Sequence, residues 1–376
     1  MSHSLIRLYL ILLPVFSLIA IILSTTRIVF GESFSQIYLL FLMCFELTFI
    51  ALNYQRLLKS KYVLIFLFLL IPSLFVGIVN NEISRRHITD FIIPMIFISK
   101  VVIFSDYWPK ENVSNYFKYY SKVTIVFSLI LIVFVYKAFA SEGASRISIF
   151  PPLELTSVFY LYNNIPAFLL CILLVFLYGK RAQLISLMLV SFMVIFRLSA
   201  NAKIIVIILL SFLSFGLFNF ISDNPENMSV RRVTYTIENL DFSSFEAVNK
   251  LSAGRFAEVT TILNGMEPIH TFFGIGMGYS FELYTNSGEL KKAANAHFTP
   301  LGLISKYGFF FTFYLYFFIF SQVYYALFKS KSRTTEISGY VVLFIVMESM
   351  FSYSLFVTSI NAVLVGYIIS TKKCIS

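Results

Sequence analysis

Two residues in one polar stretch carry side chains suited to anion binding and proton transfer, Arg255 and His297. A guanidinium is always charged and presents its donors as a planar fork, so it grips an oxyanion through two parallel hydrogen bonds. An imidazole titrates close to neutral pH and takes a proton from an attacking hydroxyl when it stands within hydrogen-bond reach. The chain has four histidines, His3, His87, His270 and His297, and the last two share this stretch. An isolated loop histidine has little mechanistic meaning, so spacing must sort them. Three further basic residues could meet an anion. They are Arg146, in Ser145-Arg146-Ile147-Ser148, and the pair Arg197 and Lys203, which bracket Leu198-Ser199-Ala200-Asn201-Ala202. A lysine supplies charge without the fork. The competing reading for all three is a long side chain that reaches lipid headgroups.

Other chemistries lack their residues. There is no glycine-rich nucleotide loop ending in Gly-Lys, no His-Glu-x-x-His zinc helix and no Asp-x-Asp pair for a metal-bound nucleotide. Cys44, Cys171 and Cys374 are too far apart in sequence to read as a metal knuckle or a disulfide framework, and packing is their expected role. Glu46, Glu348, Asp90, Lys100 and Lys137 fall within or at the ends of apolar runs. Ionisable groups in such places are costly and mark either a polar cavity or a packing partner.

The elements that must position these residues are membrane helices. Apolar residues make up 58% of the 376-residue chain and charged ones only 13%, where a soluble domain carries about 25%. Apolar runs near the length of about 20 residues that crosses a hydrocarbon core fall at roughly 8–24, 34–52, 62–79, 88–104, 123–140, 158–178, 182–197, 203–220, 308–328, 338–355 and 357–371. Alternation with period two is absent, so the spans are expected to be helices. The first run follows Arg7 without a small-residue cleavage site before Arg27, and reads as an uncleaved span.

The net charge of +10 resides in short loops between the runs, which is a topology signal rather than a nucleic-acid surface. With the N-terminus inside, Arg56, Lys59, Lys61, Lys110, Lys118, Lys122, Lys180 and Arg181 fall in cytoplasmic loops, together with Lys329, Lys331, Arg333, Lys372 and Lys373. Arg27, Arg85, Arg86, Arg146, Arg197 and Lys203 fall outside. Two cytoplasmic termini require an even number of crossings, so ten to twelve spans are expected, with 182–250 the stretch where a short or kinked segment would alter the count. The expected organisation is a helix bundle over 1–221, a large outer loop over 222–298 and C-terminal spans over 299–376. That loop holds nine of the 19 acidic residues and six Lys or Arg, and it faces the periplasm if the basic stretch after it is cytoplasmic.

Within the loop the order is Ala253-Gly254-Arg255-Phe256, Phe273-Gly274-Ile275-Gly276-Met277-Gly278, Ala296-His297-Phe298, and a return through Tyr307-Gly308-Phe309. The glycine run lacks a preceding strand and following helix for dinucleotide binding, and reads as a tight turn. This order resembles the O-antigen polymerase and ligase superfamily, which shows a small-residue-Gly-Arg step, a Gly-x-Gly turn, an Ala-His-Asn step and a Leu-Gly entry to the next helix. The resemblance covers about 250–330 and the arrangement of many spans around one large loop. Two positions depart from it, Phe298 in place of the asparagine and Lys306 in place of an acidic residue.

The resemblance implies an all-α membrane glycosyltransferase of the bacterial inner membrane, acting in lipopolysaccharide biosynthesis without a cofactor. Its substrates would be undecaprenyl-diphosphate-linked oligosaccharides, joined at the periplasmic face, and a chain-length regulator would be a further partner. Arg255 would hold the departing diphosphate, a role a metal ion plays elsewhere, and His297 would be the base. Arg197, Lys203 and Arg146 would bind the lipid-linked substrate, Lys203 standing where the family has an arginine. The motif order raises His297 above His270. An O-antigen ligase is the nearest alternative, and a lipid-linked oligosaccharide flippase or secondary transporter, usually marked by internal repeats and broken helices, is the alternative of another class.

Overall fold

The computed structural model describes residues 3–30, 32–108, 112–142, 151–224, 252, 254–284, 290–352, 355–356 and 359–374, with a few positions between 230 and 249. In chain order the elements are α1 (His3–Phe30), α2 (Glu32–Ala51), α3 (Tyr54–Leu58), α4 (Lys61–Asn80), α5 (Arg85–Tyr107), α6 (Val113–Glu142), α7 (Glu154–Asn163), α8 (Ile165–Tyr178), α9 (Arg181–Ile195) and α10 (Ala200–Asp223). After these come α11 (Arg255–Asn264), α12 (Pro268–Phe273), β1 (Phe281–Tyr284), β2 (Leu290–Ala293), α13 (Thr299–Tyr324), a π-helical turn (Tyr325–Lys329), α14 (Arg333–Ser349) and α15 (Ser359–Lys373). Among the described residues the regular structure is helical apart from one antiparallel hairpin in which Phe281 faces Ala293 and Tyr284 faces Leu290.

Five helical stretches among the described residues are long and apolar enough to cross a membrane: Lys61–Asn80, Arg85–Tyr107, Val113–Val133, Lys203–Asp223 and Thr299–Lys329. Shorter apolar helices lie at Ser4–Phe16, Leu40–Ala51, Ile165–Tyr178 and Arg181–Ile195. The fold is thus that of an all-α membrane protein. The apolar run at 158–178 is two helices, because Asn164 is extended and its side-chain oxygen accepts the Ala167 N–H at 3.2 Å. Pro166 in the first turn suits that start, and Gly179 ends α8 in the left-handed region.

The chain folds into two compact units, each drawn from three segments, which cut across the linear division into bundle, loop and C-terminal spans. The first is Met1–Leu47, Lys110–Glu238 and Lys331–Phe344. There α1 packs on α6 and α6 on α7. Tyr119 donates to the Ile11 carbonyl at 3.0 Å and Tyr9 to the Glu46 carboxylate at 2.8 Å, so Glu46 is a helix-to-helix contact. Buried Gln183 at the start of α9 donates to Glu154 and to the Pro151 carbonyl.

The second unit is Thr48–Pro109, Asn239–Ser330 and Ile345–Ser376. Its centre is the packing of α15 on α5, where Gly366 lets the backbones touch: a Cβ there would stand 2.6 Å from the Val101 carbonyl oxygen. Phe66 of α4 sits against Phe311, Tyr314 and Phe318 of α13 and closes the other side. Glu348 is fully buried in this unit, with the Ser352 hydroxyl 3.5 Å away, and Lys100 is buried as well. α13 is interrupted at Gly308, whose φ of 80° and ψ of 172° separate a first helical piece, 299–307, from a second beginning at 309.

Candidate functional site

The second half of the polar loop folds within the second unit around a small core of Ile262, Phe281, Ala296 and Leu301, edged by Val259, Met266, Tyr279, Leu283 and Ala293. This core binds α11, the hairpin and the start of α13 into one body, and it contains the residue that precedes His297. Burial pushes the Tyr279 phenol up from its ordinary range, which keeps it protonated.

α11 begins at Arg255 because Gly254 adopts a φ of 84°, a conformation that costs a residue with a Cβ but not glycine. Its first N–H groups are already used. Phe256 donates to the Ser252 hydroxyl at 3.1 Å and Ala257 to the Asn249 side-chain oxygen at 2.9 Å. The Arg255 side chain itself is half-buried. One turn along the same helix is Glu258, only 6% exposed. Residues three apart on a helix are surface neighbours.

Glu258 takes hold of His297 at two points. One carboxylate oxygen is 2.7 Å from the imidazole Nδ1, and the other accepts the His297 backbone N–H at 3.0 Å. A carboxylate only accepts, so Nδ1 carries a proton and, in the neutral ring, the lone pair is left on Nε2. His297 remains partly open, at 35% side-chain exposure. Glu258, which holds His297, is thus one turn along α11 from Arg255.

His87 and His270 have the opposite arrangement. In each, Nδ1 accepts a backbone N–H, from Ser84 at 3.3 Å and from Glu267 at 3.2 Å, as the third residue of a capping box. Nε2 then carries the hydrogen, and in His87 it faces the Gly77 carbonyl at 3.1 Å. Among the histidines whose side chains are described, His297 is the one whose Nδ1 faces a carboxylate rather than a helix-capping N–H.

The glycine run is a tight turn, as expected, and its backbone is pressed against α4. Gly274, Gly276 and Gly278 have φ of 81°, 106° and 83°. A Cβ on Gly276 would stand 2.3 Å from the Gly77 nitrogen, and one on Gly278 would strike the His87 ring at 2.2 Å. Met277 donates to the Ser73 carbonyl at 3.1 Å, and Asn81 donates to the carbonyls of Ile275 and Met277 at 3.3 and 3.1 Å. These amides and carbonyls are engaged with the protein itself.

Of the two departures from the pattern the sequence resembles, Lys306 has buried polar partners, whereas Phe298 is an exposed ring. Lys306 lies 2.7 Å from Asp90 of α5 and 2.9 Å from the Asn295 side-chain oxygen, while the second Asp90 oxygen accepts the Gly278 N–H at 3.0 Å. The Tyr307 hydroxyl donates to the Asp90 carbonyl at 2.7 Å. After Phe298, the Thr299 hydroxyl donates to the Ser352 carbonyl at 3.2 Å.

The other sequence candidates lie elsewhere. Arg146 falls outside the described residues, as does the side chain of Lys137. Arg197 and Lys203 belong to the first unit. Arg197 is 3.2 Å from Glu336 and over the Tyr340 ring at 5.9 Å. Glu336 is in the first turn of α14 with Arg333, which itself donates to the Tyr162 carbonyl. Arg197 therefore shares an end of its unit with Arg333, and assigning one to the outside and the other to the inside cannot stand. Lys203 is half-buried in the first turn of α10.

Sequence reasoning missed Glu258, Asp90's partner and Asn295. For Glu258 the signal was its place one turn after Arg255. No three-residue cluster of His, Cys, Asp or Glu that could hold a metal ion occurs among the described residues. Compared with protein families, curated proteins and solved structures, the chain finds no match.

Proposed function

We propose that this chain is an O-antigen polymerase, a membrane glycosyltransferase that joins undecaprenyl-diphosphate-linked oligosaccharides at the periplasmic face of a bacterial inner membrane, on a frame of ten to twelve spans. In the reaction a hydroxyl of the acceptor's terminal sugar attacks the anomeric carbon of the donor chain. The new glycosidic C–O bond forms as the bond to the diphosphate oxygen breaks, and undecaprenyl diphosphate departs with the electron pair. His297 Nε2 takes the hydroxyl proton, and Arg255 meets the charge that gathers on the diphosphate. Glu258 stabilises the imidazolium that results.

The observation that carries this reading is the grip of Glu258 on His297 one turn from Arg255. It supports a base held close to the helix start that carries Arg255, the pair that the motif order points to. The test is a lipopolysaccharide gel from a deletion strain complemented with wild type, Arg255→Ala or His297→Ala, with membrane levels checked by immunoblot. The expected result is a full ladder with wild type and core plus a single repeat with each variant. Full ladders from both variants overturn the site.

A second reading, a lipid-linked oligosaccharide transporter, draws on the interruption of α13 at Gly308, since broken helices near substrate paths are common in transporters. It predicts core without any repeat in the deletion strain. The same result would arise from a ligase, and labelled lipid-linked repeat accumulating on the inner leaflet would single out transport.

A further inference from the structure

We propose that Asn295 and Lys306, anchored by Asp90, are positioning residues that hold His297 against Glu258. The inference rests on the reading of His297 as the base. The segment Asn295-Ala296-His297 is gripped at both ends: Glu258 takes His297 by ring and backbone, and Lys306 takes the Asn295 side-chain oxygen at 2.9 Å. Ala296, between them, is 2% exposed and packed in the loop core, where it meets the Gly302 backbone. Two fixed points flanking a buried alanine define where the following ring stands.

Lys306 can serve as an anchor because it is itself immobile. Its side chain is 5% exposed and that of Asp90 is 7% exposed. Asp90 in turn uses both carboxylate oxygens, one on Lys306 and one on the Gly278 N–H, and Tyr307 ties down its backbone. A chain of contacts thus runs from α5 through Lys306 and Asn295 to the base. Asn295, two residues before the reacting ring, gives the buried ammonium a second acceptor beside Asp90.

The three partners contribute differently. Removing Asn295's amide leaves the Asp90–Lys306 pair in place and severs only the link to the His297 segment. Replacing Lys306 with methionine breaks both. Lys306→Arg keeps the charge, and its longer, forked head can still reach both oxygen partners.

The experiment uses the full chain labelled with 15N-histidine in lipid bilayers, with ring-nitrogen signals read by solid-state NMR and His297 identified by subtraction of a His297→Ala sample. In wild type the neutral His297 ring is expected to be the Nδ1–H tautomer, with His87 and His270 in the Nε2–H form. Asn295→Ala is expected to convert His297 to a mixture of tautomers while leaving His87 and His270 unchanged, and to reduce polymer synthesis about tenfold at full membrane level. Lys306→Arg should retain the wild-type signal. An Asn295→Ala sample with an unaltered His297 signal and an unaltered ladder overturns the proposal, whatever Lys306→Met does to folding. If instead the tautomer shifts in Asn295→Ala but His297→Ala still makes a full ladder, positioning stands and the assignment of His297 as base fails.

Discussion

The ion pairs Asp90–Lys306 and Arg197–Glu336 have similar partners and very different surroundings. In the first both side chains are under a tenth exposed and every oxygen of the carboxylate has a hydrogen-bond donor. In the second the side chains are 35% and 24% exposed, and the guanidinium also lies over Tyr340. An exposed pair gains little over hydration and is screened by salt, whereas loss of one partner of a buried pair strands a charge. The lesson is that a basic residue near a membrane helix end says nothing of its role until its partner is known. Lys306, which departs from the pattern the sequence resembles, is buried against α5, while Arg197, which the resemblance puts on the lipid-linked substrate, is paired at an accessible end.

The largest break in this comparison is Lys306→Met, which leaves the Asp90 carboxylate without its cation. Loss of about 3–5 kcal/mol is expected, read as a lowered unfolding midpoint of the protein in detergent. The double variant Asp90→Asn with Lys306→Met should recover much of it. A double variant no more stable than the single one would show that charge is not what matters there.

Gly276→Ala comes next. Its φ of 106° alone costs a residue with a Cβ about 1–3 kcal/mol, and the overlap with Gly77 adds to that. Limited proteolysis should then cut the loop faster while α10 keeps its wild-type pattern. Glu258→Gln is smaller, about 1.5 kcal/mol, because an amide keeps one hydrogen bond to His297 but loses the charge. Its mark is functional: the ladder should shorten more than the midpoint falls. Arg197→Ala is expected to cost about 1 kcal/mol or less, and 0.5 M salt should erase the difference. A midpoint shift as large as that of Lys306→Met would abolish the contrast between the two pairs.

Much of the helical frame was legible because lipid-facing segments announce themselves by apolar length. The run at 62–79 became α4 and that at 203–220 became α10 with bounds shifted by only a few residues. The glycine turn was also legible, since three glycines at alternate positions ask for backbone that other residues resist. The break between α7 and α8 was written in Asn164 and Pro166 and was passed over because the apolar residues on both sides read as one run. The interruption of α13 at Gly308 was hidden for the same reason.

The candidate site was legible only by half. The types and order of Arg255 and His297 stood out, but Glu258 is 39 residues from its histidine and Asp90 is 216 from Lys306. No periodicity links residues so far apart, because their contact is made by tertiary packing. The hairpin is too short to show alternation. Charge counting put Arg197 and Arg333 on opposite sides because it counts basic residues and takes no account of Glu336, the carboxylate that brings their helix ends together.

The docking of the glycine turn on α4 and α5 also sets a schedule for biogenesis. The Asp90 carboxylate and the Ser73 and Asn81 groups are made and inserted first, and their partners at 275–278 and 306 emerge about two hundred residues afterwards. At a translation rate of about 5–20 residues per second, that interval is about 10–40 s. Throughout it, the young α4–α5 hairpin must keep a carboxylate and several amides hydrated or shielded at the membrane, so this interval is when an insertion chaperone has something to protect.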